Sequence, residues 1–179
     1  MKREARRLAL AARAAVKERT EYSRVITDRL TALPEYKCAK RILCYASYNS
    51  EVDTSELCRR IIAEGKELYL PRCDVETKSM TACKVTDLSV LKKGAYGIPE
   101  PEGEGILPQK LDLVVVPMVA FDKNKGRIGY GAGYYDRFLP MTNAFRCGIA
   151  FSAQEVECAS FEETDLPMDL IITEREMIV

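Results

Sequence analysis

One stretch of the sequence combines alternating glycines with an arginine, tyrosines and an aspartate: GRIGYGAGYYDRFL. Glycine has no Cβ and accepts positive φ, so Gly129, Gly131 and Gly133 allow successive N–H groups to converge on an anion. Arg127 supplies a cation beside this loop. Asp136 stands where a carboxylate can hold Mg²⁺ against phosphate oxygens or simply suit the dipole at the start of a helix. The spacing favours a phosphate-binding loop over the competing interpretation, a tight turn without a ligand.

Two better-known nucleotide loops fit this stretch less well. A Walker loop needs Lys followed by Ser or Thr after its last glycine, and no such pair follows here. The dinucleotide fingerprint needs G-x-G-x-x-G in the first βα turn, whereas this loop comes late in the chain and its third glycine comes one residue too early. We therefore interpret the stretch as a phosphate loop of another kind. Tyr134 and Tyr135, which follow it, can stack on a flat ring or pack in the core.

The sequence contains no histidine. This absence excludes Ser-His and Cys-His nucleophilic pairs and removes the usual general base near neutral pH. Chemistry must instead come from carboxylates, lysine, arginine, tyrosine, backbone dipoles or a hard metal ion.

The chain opens with a second group of chemically useful residues, the basic segment KREARR. Three interpretations of its cations stay open: a solvated helix face, a clamp on a triphosphate, and a contact with RNA phosphates. Lys plus Arg and Asp plus Glu both number 27, and this balance argues against a general nucleic-acid coat protein. We expect the segment to stay in the mature protein, because acidic residues and Arg13 interrupt any signal-like pattern.

Length and composition predict a single domain in the cytoplasm. The 179 residues are 47% hydrophobic and 30% charged, which suits a single globular core. Seven cysteines without a C-x-x-C pair favour free thiols in a reducing compartment. No apolar run approaches the ~20 residues of a membrane helix, so we expect no membrane association.

Hydrophobic periodicity predicts the elements that must position these groups. Helices are predicted over residues 2–18 and about 22–33, and the pattern places the following residues on one face of the first: Leu8, Ala12, Ala15 and Val16. Strands are predicted over residues 41–48, 67–70, 80–85, 111–122, 145–151 and 170–174, and a short helix over 134–139.

The first two strands enclose a third long helix, with Asp53 and Glu56 as a predicted capping box and Gly65 as its end. A strand–helix–strand unit implies a parallel pair with a right-handed crossover. Ligands of such α/β sheets bind outside the carboxyl ends of the strands. The glycine loop follows the most apolar strand, so we expect it at this edge.

A longer stretch around the loop closely resembles the signature of the 5-formyltetrahydrofolate cyclo-ligase family, also called methenyltetrahydrofolate synthetases: PMVAFDKNKGRIGYGAGYYDRFL. The segments KREAR, SEVDT, YGIPEP and FEETDLPMD fit the family in the same order. The resemblance implies a three-layer Rossmann-like α/β fold with a mainly parallel sheet and a helical N-terminal arm, similar to the sugar-phosphate isomerases and CoA transferases, as one domain over 1–179. It also implies conversion of 5-formyltetrahydrofolate to 5,10-methenyltetrahydrofolate with ATP and Mg²⁺, releasing ADP and phosphate.

The resemblance also implies site residues. ATP would be bound by Lys2, Arg3, Glu4, Ala5, Arg6, Arg127, Ile128, Gly129, Tyr130, Gly131, Ala132, Gly133, Tyr134 and Tyr135. The folate would be bound by Ala46, Glu51, Tyr130, Gly131, Ala132, Gly133 and Tyr134, with Glu51 at its pterin end. Arg127 and Tyr134 would be the catalytic residues. Mg²⁺ would be bound directly or through water by Asp136 and Asp165, with Asp169 or Glu163 as alternatives to the latter.

Three hypotheses for the function follow. The first is the ATP-dependent cyclo-ligase, expected to be a monomer whose partners are 5-formyltetrahydrofolate and ATP. The second is a nucleotide-binding enzyme of similar fold that acts on another substrate, such as a sugar phosphate. The third is an RNA-binding module that uses the basic N-terminal arm, although the aromatic-and-basic pattern of a known RNA module is absent.

Overall fold

The computed structural model of the chain describes residues 2–159 and 166–179. Its α-helices are α1 (Lys2–Ala14), α2 (Arg19–Ala32), α3 (Pro34–Cys38), α4 (Ser55–Ala63) and α5 (Tyr134–Phe138). Its strands are β1 (Arg41–Leu43), β2 (Glu67–Asp74), β3 (Ser79–Val85), β4 (Lys92–Lys93), β5 (Pro99–Glu100), β6 (Gly105–Ile106), β7 (Leu113–Pro117), β8 (Ala120–Phe121), β9 (Arg127–Ile128), β10 (Phe145–Ile149), β11 (Leu170–Ile172) and β12 (Met177–Ile178).

A mainly parallel sheet forms the centre of the protein, in the order β12-β11-β10-β7-β1-β2-β3-β6. The five strands from β11 to β2 run parallel, and the outer strands β12, β3 and β6 pair antiparallel. In the β1–α4–β2 unit, Leu43 pairs with Tyr69 in parallel register, which confirms the predicted parallel pair. The predicted α/β class with a mainly parallel sheet is therefore confirmed.

Side chains of the sheet supply a core on each of its faces. Along β7, Leu113 and Val115 join the cluster formed with α2, α3 and α4, whereas Val114 and Val116 join the cluster that contains Phe138 of α5. This split follows from the alternation of side chains along a strand. All four residues are fully buried, as expected for a parallel strand covered on both sides.

Helix α1 packs on the short hairpin β8–β9 with a face that the hydrophobic pattern did not predict. The predicted face is only partly buried: Leu8 is 53% exposed and Ala15 is exposed, whereas Val16 packs against the core. The buried residues are instead Ala9 and Arg13, and Ala9 packs with Ile128 of β9. The buried face thus carries a small apolar residue and an arginine rather than the larger Leu8. The helix also ends at Ala14, earlier than predicted.

Two further predictions near β1 need correction. The first strand ends at Leu43 rather than at residue 48, so that the following residues form a loop. The predicted capping box is wrong, because Thr54 occupies the N-cap of α4 without a side-chain bond to the helix. The Asp53 carboxylate instead accepts a 2.9 Å hydrogen bond from the Ser55 N–H. Gly65, at φ +74°, confirms the predicted helix end.

Three further features can be compared with the predictions from sequence. All seven cysteines are free thiols. Within residues 2–159 and 166–179, no helix is both long enough and apolar enough to cross a membrane. The predicted helix before Pro140 is confirmed as α5, which ends at Phe138 and continues as a single 3₁₀ turn.

Candidate active site

A cleft of about 360 Å³ opens at the carboxyl ends of β1, β2 and β7. Its walls come from the loop after β1, the carboxyl-terminal half of β2, the segment before β5, the end of β7 and the glycine loop between β9 and α5. This is the edge of a parallel sheet where ligands bind. The expected location of the glycine loop is thus confirmed.

The glycine loop has a backbone that requires glycine at two positions. Gly131 has φ +103° and Gly133 has φ +76°, values that L-residues rarely adopt. A Cβ at Gly133 would also lie 2.6 Å from Arg137 Nη1. Because α5 has only five residues, the N–H groups of the loop rather than the dipole of a long helix must supply most of the attraction for an anion.

Arg127 and Asp136 face each other across this loop. The Arg127 guanidinium donates a hydrogen bond to the Asp136 carboxylate and lies over the Tyr135 ring, 5.7 Å from its centroid. A Cβ at Gly129 would approach Arg127 Nη1 to 2.9 Å, so the absence of a side chain there makes room for the guanidinium. The loop therefore has a cation fixed in its wall.

Helix α1 brings a second cation to the loop. Arg6 Nε donates a 2.8 Å hydrogen bond to the Gly129 carbonyl oxygen. The same guanidinium would contact a Cβ placed at Gly131, at 3.4 Å. Earlier in the helix, Arg3 is exposed, and Glu4 forms an exposed 2.6 Å ion pair with Arg7. The arm thus meets the glycine loop through Arg6.

A chain of hydrogen bonds joins the glycine loop to the loop after β1. The Tyr130 hydroxyl donates to Glu51 Oε1 at 2.7 Å, and Arg13 Nη2 donates to the Tyr130 oxygen at 2.8 Å. Arg13 Nε also donates to Ser50 Oγ at 3.1 Å, and the Tyr48 N–H donates to Glu51 Oε2 at 2.8 Å. Residues far apart in sequence are thereby held at one wall of the cleft.

The electrostatics of this wall centre on Glu51. Burial raises the pKa of its carboxyl above the ordinary 4.5, while the hydrogen bonds from Tyr130 and Tyr48 and the charge of Arg13 act in the opposite direction. A half-buried carboxylate with two donors already in place is well suited to bind a further N–H donor of a ligand.

Tyrosines form the opposite side of the cleft. The hydroxyls of Tyr134 and Tyr96 lie 3.4 Å apart, and their rings meet edge to face at 6.5 Å. The hydrogen bond with Tyr96 raises the pKa of Tyr134 to about 12, with burial as a second cause. The Tyr135 hydroxyl is buried without a hydrogen-bond partner in the part of the chain described. These phenols are neutral donors and acceptors near pH 7.

Most of the predicted site residues come together in the cleft. Its lining includes the following predicted residues: Ala46, Glu51, Arg127, Gly129, Tyr130, Gly131, Ala132, Gly133, Tyr134, Tyr135 and Asp136. Ile128 is only 2% exposed and packs under α1, so only its backbone can serve the loop. Lys2, Arg3, Glu4 and Ala5 do not line the cleft and lie toward the start of α1.

The predicted metal site has one carboxylate at the cleft. Asp136 lines the cleft, whereas Asp165 and the alternative Glu163 lie outside the described residues. The other alternative, Asp169, is occupied by Arg146, whose Nε and Nη2 donate to its two oxygens at 3.0 and 2.8 Å. Among residues 2–159 and 166–179, no group of three His, Cys, Asp or Glu side chains could hold a metal ion.

Four residues at or beside the cleft were not predicted from the sequence: Arg13, Tyr96, Glu100 and Arg137. Tyr96 and Glu100 line the cleft within the YGIPEP segment, for which the resemblance to the family implies no site residue. Tyr96 has φ +57°, unusual for a tyrosine, and this strain marks the segment. Arg13 interrupts an otherwise apolar stretch, and that interruption was the available signal.

Comparison with known proteins identifies the family. The sequence profile of the 5-formyltetrahydrofolate cyclo-ligase family matches residues 1–174. The 5-formyltetrahydrofolate cyclo-ligase of Haemophilus influenzae is 32% identical over 155 residues, which cover 82% of this chain and 83% of that protein. The enzyme of the same name from Mus musculus is 28% identical over 172 residues, covering 88% and 84%.

Solved structures agree with this result. The NMR structure of Aquifex aeolicus 5,10-methenyltetrahydrofolate synthetase is 36% identical, with a TM-score of 0.87 over 98% of this chain and 91% of that one. A 5,10-methenyltetrahydrofolate synthetase from Mycoplasma pneumoniae shares the fold, with a TM-score of 0.79 at 24% identity. The cleft, its glycine loop and these similarities lead to one conclusion: the chain belongs to the 5-formyltetrahydrofolate cyclo-ligase family.

Proposed function

We propose that this protein converts 5-formyltetrahydrofolate to 5,10-methenyltetrahydrofolate, consuming ATP and releasing ADP and phosphate. The observation that carries the proposal is the 2.7 Å hydrogen bond from Tyr130 to Glu51. It joins the loop suited to phosphates and the carboxylate suited to a pterin in one cleft. Two ligands that must react with each other would therefore meet there.

The reaction needs ATP because an N-formyl group is a poor electrophile. Its nitrogen donates electron density into the carbonyl, so N10 of the folate does not displace the oxygen directly. In the proposed sequence, the formyl oxygen attacks the γ-phosphorus, and the bond to the β-phosphate oxygen breaks to release ADP. N10 then attacks the formyl carbon and loses its proton, and the C–O bond breaks to release phosphate. The positive charge of the product is shared between N5 and N10.

The residues of the cleft can supply what these steps require. Arg127 and the N–H groups of the glycine loop neutralise phosphate charge, and Lys2 and Arg6 extend this positive surface along α1. Glu51 accepts hydrogen bonds from the pterin, and Ala46 lies beside it in the same wall. Tyr134 lines the side of the cleft opposite Glu51 and is suited to orient the reacting formyl group.

Magnesium would be held mainly by the nucleotide. Mg²⁺ commonly keeps several waters and binds one or two carboxylates together with substrate phosphates. Asp136, 59% exposed at the cleft, fits that donor set. Bound there with ATP, the ion would neutralise charge on the phosphates. By resemblance to the family, we propose Asp165 as a second ligand of the ion.

We further propose that the chain works as a monomeric single domain in the cytoplasm. One sheet with a hydrophobic core on each face supports the single domain. Seven free thiols favour a reducing compartment. Sedimentation of the purified protein tests the oligomeric state, and a dimer would overturn that part of the proposal.

A spectroscopic assay tests the activity. Purified protein, ATP, Mg²⁺ and 5-formyltetrahydrofolate should give the near-ultraviolet absorbance of the methenyl product, and omission of ATP should abolish it. Folded protein that gives no absorbance overturns the proposal. If ATP or a sugar phosphate bound while the reduced folate did not, calorimetry would favour the second hypothesis. RNA binding with a steep salt dependence and no product would favour the third.

A further inference from the structure

Arg13 is the least exposed charged side chain of α1 and belongs to none of the expected nucleotide or folate contacts. It is only 2% exposed, although it is an arginine on the first helix of the chain. Burying a guanidinium is costly unless hydrogen bonds hold it. Arg13 Nη1 nevertheless has no hydrogen-bond partner among the residues that the structure describes. A role in stability alone does not explain why a guanidinium is kept buried with one nitrogen lacking a partner among the described residues.

The partners of Arg13 are specific. Its Nη2 donates to the Tyr130 hydroxyl at 2.8 Å, its Nε donates to Ser50 Oγ at 3.1 Å, and its guanidinium lies 5.5 Å from the centre of the Tyr130 ring. Tyr130 in turn donates to Glu51. Arg13 therefore contacts both the glycine loop, through Tyr130, and the loop that carries Glu51, through Ser50.

Helix α1 contacts the glycine loop at two points on the same face. Arg6 donates to the Gly129 carbonyl, and Arg13 donates to Tyr130. The two arginines are seven residues apart, which is about two helical turns or ~10 Å. The buried Ala9 lies between them on this face and packs against the hairpin. Helix α1 thus holds Arg6 and Arg13 at a fixed separation along the glycine loop.

We propose that Arg13 is a positioning residue that couples the two substrate sites: it holds Tyr130 and the Glu51 loop in place when α1 is held against the glycine loop. Nucleotide phosphates that bind Lys2 and Arg6 favour the docked position of α1, in which the helix lies against the glycine loop. The docked helix keeps Arg13 on Tyr130 and Ser50, and Tyr130 keeps Glu51 directed into the cleft. A ligand at either end favours the same arrangement, so each raises the affinity for the other.

This inference rests on the proposed function, because it needs both ligands to bind the cleft. The test is calorimetric titration of 5-formyltetrahydrofolate with and without a non-hydrolysable ATP analogue and Mg²⁺. For the unaltered protein we expect the analogue to tighten folate binding at least about fivefold, the lower range of typical coupling between sites. In Arg13→Met, whose side chain keeps similar bulk without the guanidinium, the factor should fall to less than about twofold.

Tyr130→Phe is the second variant, and it keeps the inference testable if Arg13→Met fails to fold. It removes one hydroxyl from a residue that is 51% exposed, so folding should be preserved. It should lose the coupling as Arg13→Met does, and the double variant should lose no more than either single change. Arg24→Met is the matched control, because Arg24 is an exposed arginine of α2 that pairs only with Glu21 and Asp28 in the contacts described.

Steady-state kinetics provide a readout that a purely structural role would not move. In Arg13→Met at saturating ATP, the KM for folate should rise about fivefold or more with kcat within about twofold, as expected from lost coupling. Wild-type coupling in either folded variant overturns the inference, as does the absence of coupling in the unaltered protein. If the unaltered protein forms product while coupling is absent, only this inference fails. If it binds neither ligand and forms no product, the proposed function fails too.

Discussion

Arg127 and Asp136 form an ion pair in which one partner is buried and the other is exposed. The Arg127 side chain is 6% exposed, whereas that of Asp136 is 59% exposed. The guanidinium is fixed between Gly129 and the Tyr135 ring. The cation is therefore part of the wall, while the carboxylate can turn away from it toward a metal ion bound to a nucleotide. The two partners should respond differently to substitution.

Substitution Arg127→Ala should impair ATP use far more than folding. We expect kcat/KM for ATP to fall about 10²–10³-fold, the usual cost of removing one preorganised charge-stabilising donor. For Arg127→Lys, kcat/KM for ATP should lie between the values for the unaltered protein and for Arg127→Ala, because lysine keeps the charge but not the planar guanidinium. Rates of product formation at varied ATP, with melting temperatures, check this prediction.

The control is Arg24→Ala, on the surface of α2 and away from the cleft. It should leave kcat/KM for ATP unchanged. A sharply lowered melting temperature in Arg127→Ala, with normal activity per folded molecule, would instead show that Arg127 only stabilises the loop.

Substitution Asp136→Asn should change the magnesium requirement. The amide keeps the shape of the side chain but loses the charge that attracts the ion, so the Mg²⁺ concentration for half-maximal rate should rise about tenfold or more. Titration of the rate with Mg²⁺ at fixed ATP measures this. Glu102→Gln is the control, since Glu102 is an exposed carboxylate paired with Lys92. An unchanged Mg²⁺ curve for Asp136→Asn would remove Asp136 from the metal site.

Part of this site could be predicted from sequence because some of its backbone conformations require particular residue types. Gly131 and Gly133 are required by positive φ, and such positions are visible as glycines in any chain that carries the loop. Only the resemblance to a family points to Glu51, since a single glutamate in a loop has no periodic signal. The parallel sheet was predictable because its buried strands form continuous apolar runs.

The parts that sequence did not predict depend on tertiary contacts. Arg13 is buried beside Tyr130, which lies 117 positions later in the sequence. No local sequence pattern predicts a contact between residues so far apart. Leu8 is exposed, whereas the smaller Ala9 is buried and packs with Ile128 of the hairpin under α1. Periodicity assumes that the larger apolar residue faces the core, and close packing overrides that assumption here.

Glu51 should make folate binding sensitive to pH. Burial raises the pKa of this carboxyl above 4.5, so the folded protein holds the proton more tightly than the unfolded chain does. The protonated form therefore persists to a higher pH than for an exposed glutamate. As pH falls through this raised pKa, the KM for folate should rise, because a neutral carboxyl is a poorer acceptor for the pterin N–H groups.

Glu51→Gln separates this cause from others. It should raise the KM for folate at pH 7 about tenfold or more, as expected for loss of one charge-assisted bond, with nearly normal ATP binding. Its KM should no longer depend on pH in the acid range above 4.5. Measurement of the KM between pH 5 and 8, with Glu102→Gln as control, checks both parts. The same acid-side rise in Glu51→Gln and in the unaltered protein would assign the titration to another group.

Asp169 and Arg146 offer a test that separates stability from metal binding. Arg146 donates to Asp169 Oδ2 from its backbone N–H at 2.7 Å and from Nε at 3.0 Å, and to Oδ1 from Nη2 at 2.8 Å. These bonds join the ends of two neighbouring parallel strands, β10 and β11. Burial alone would raise the pKa of Asp169, but the bonds from Arg146 lower it below the ordinary 3.8. A lowered pKa means that the stabilisation is present above pH 3.8 and is lost as pH falls through the folded-state value.

We therefore expect Asp169→Asn to lower the free energy of unfolding at pH 7 by about 1–3 kcal/mol, the range for hydrogen bonds to a charged group. The difference from the unaltered protein should shrink below pH 3.8, because the carboxylate becomes protonated there. Its Mg²⁺ titration should match that of the unaltered protein, in contrast to Asp136→Asn. Urea unfolding at pH 7 and pH 3, with Mg²⁺-dependent rates, measures these quantities. Unchanged stability with a weakened Mg²⁺ response would show that Asp169 serves the metal rather than the strand pair.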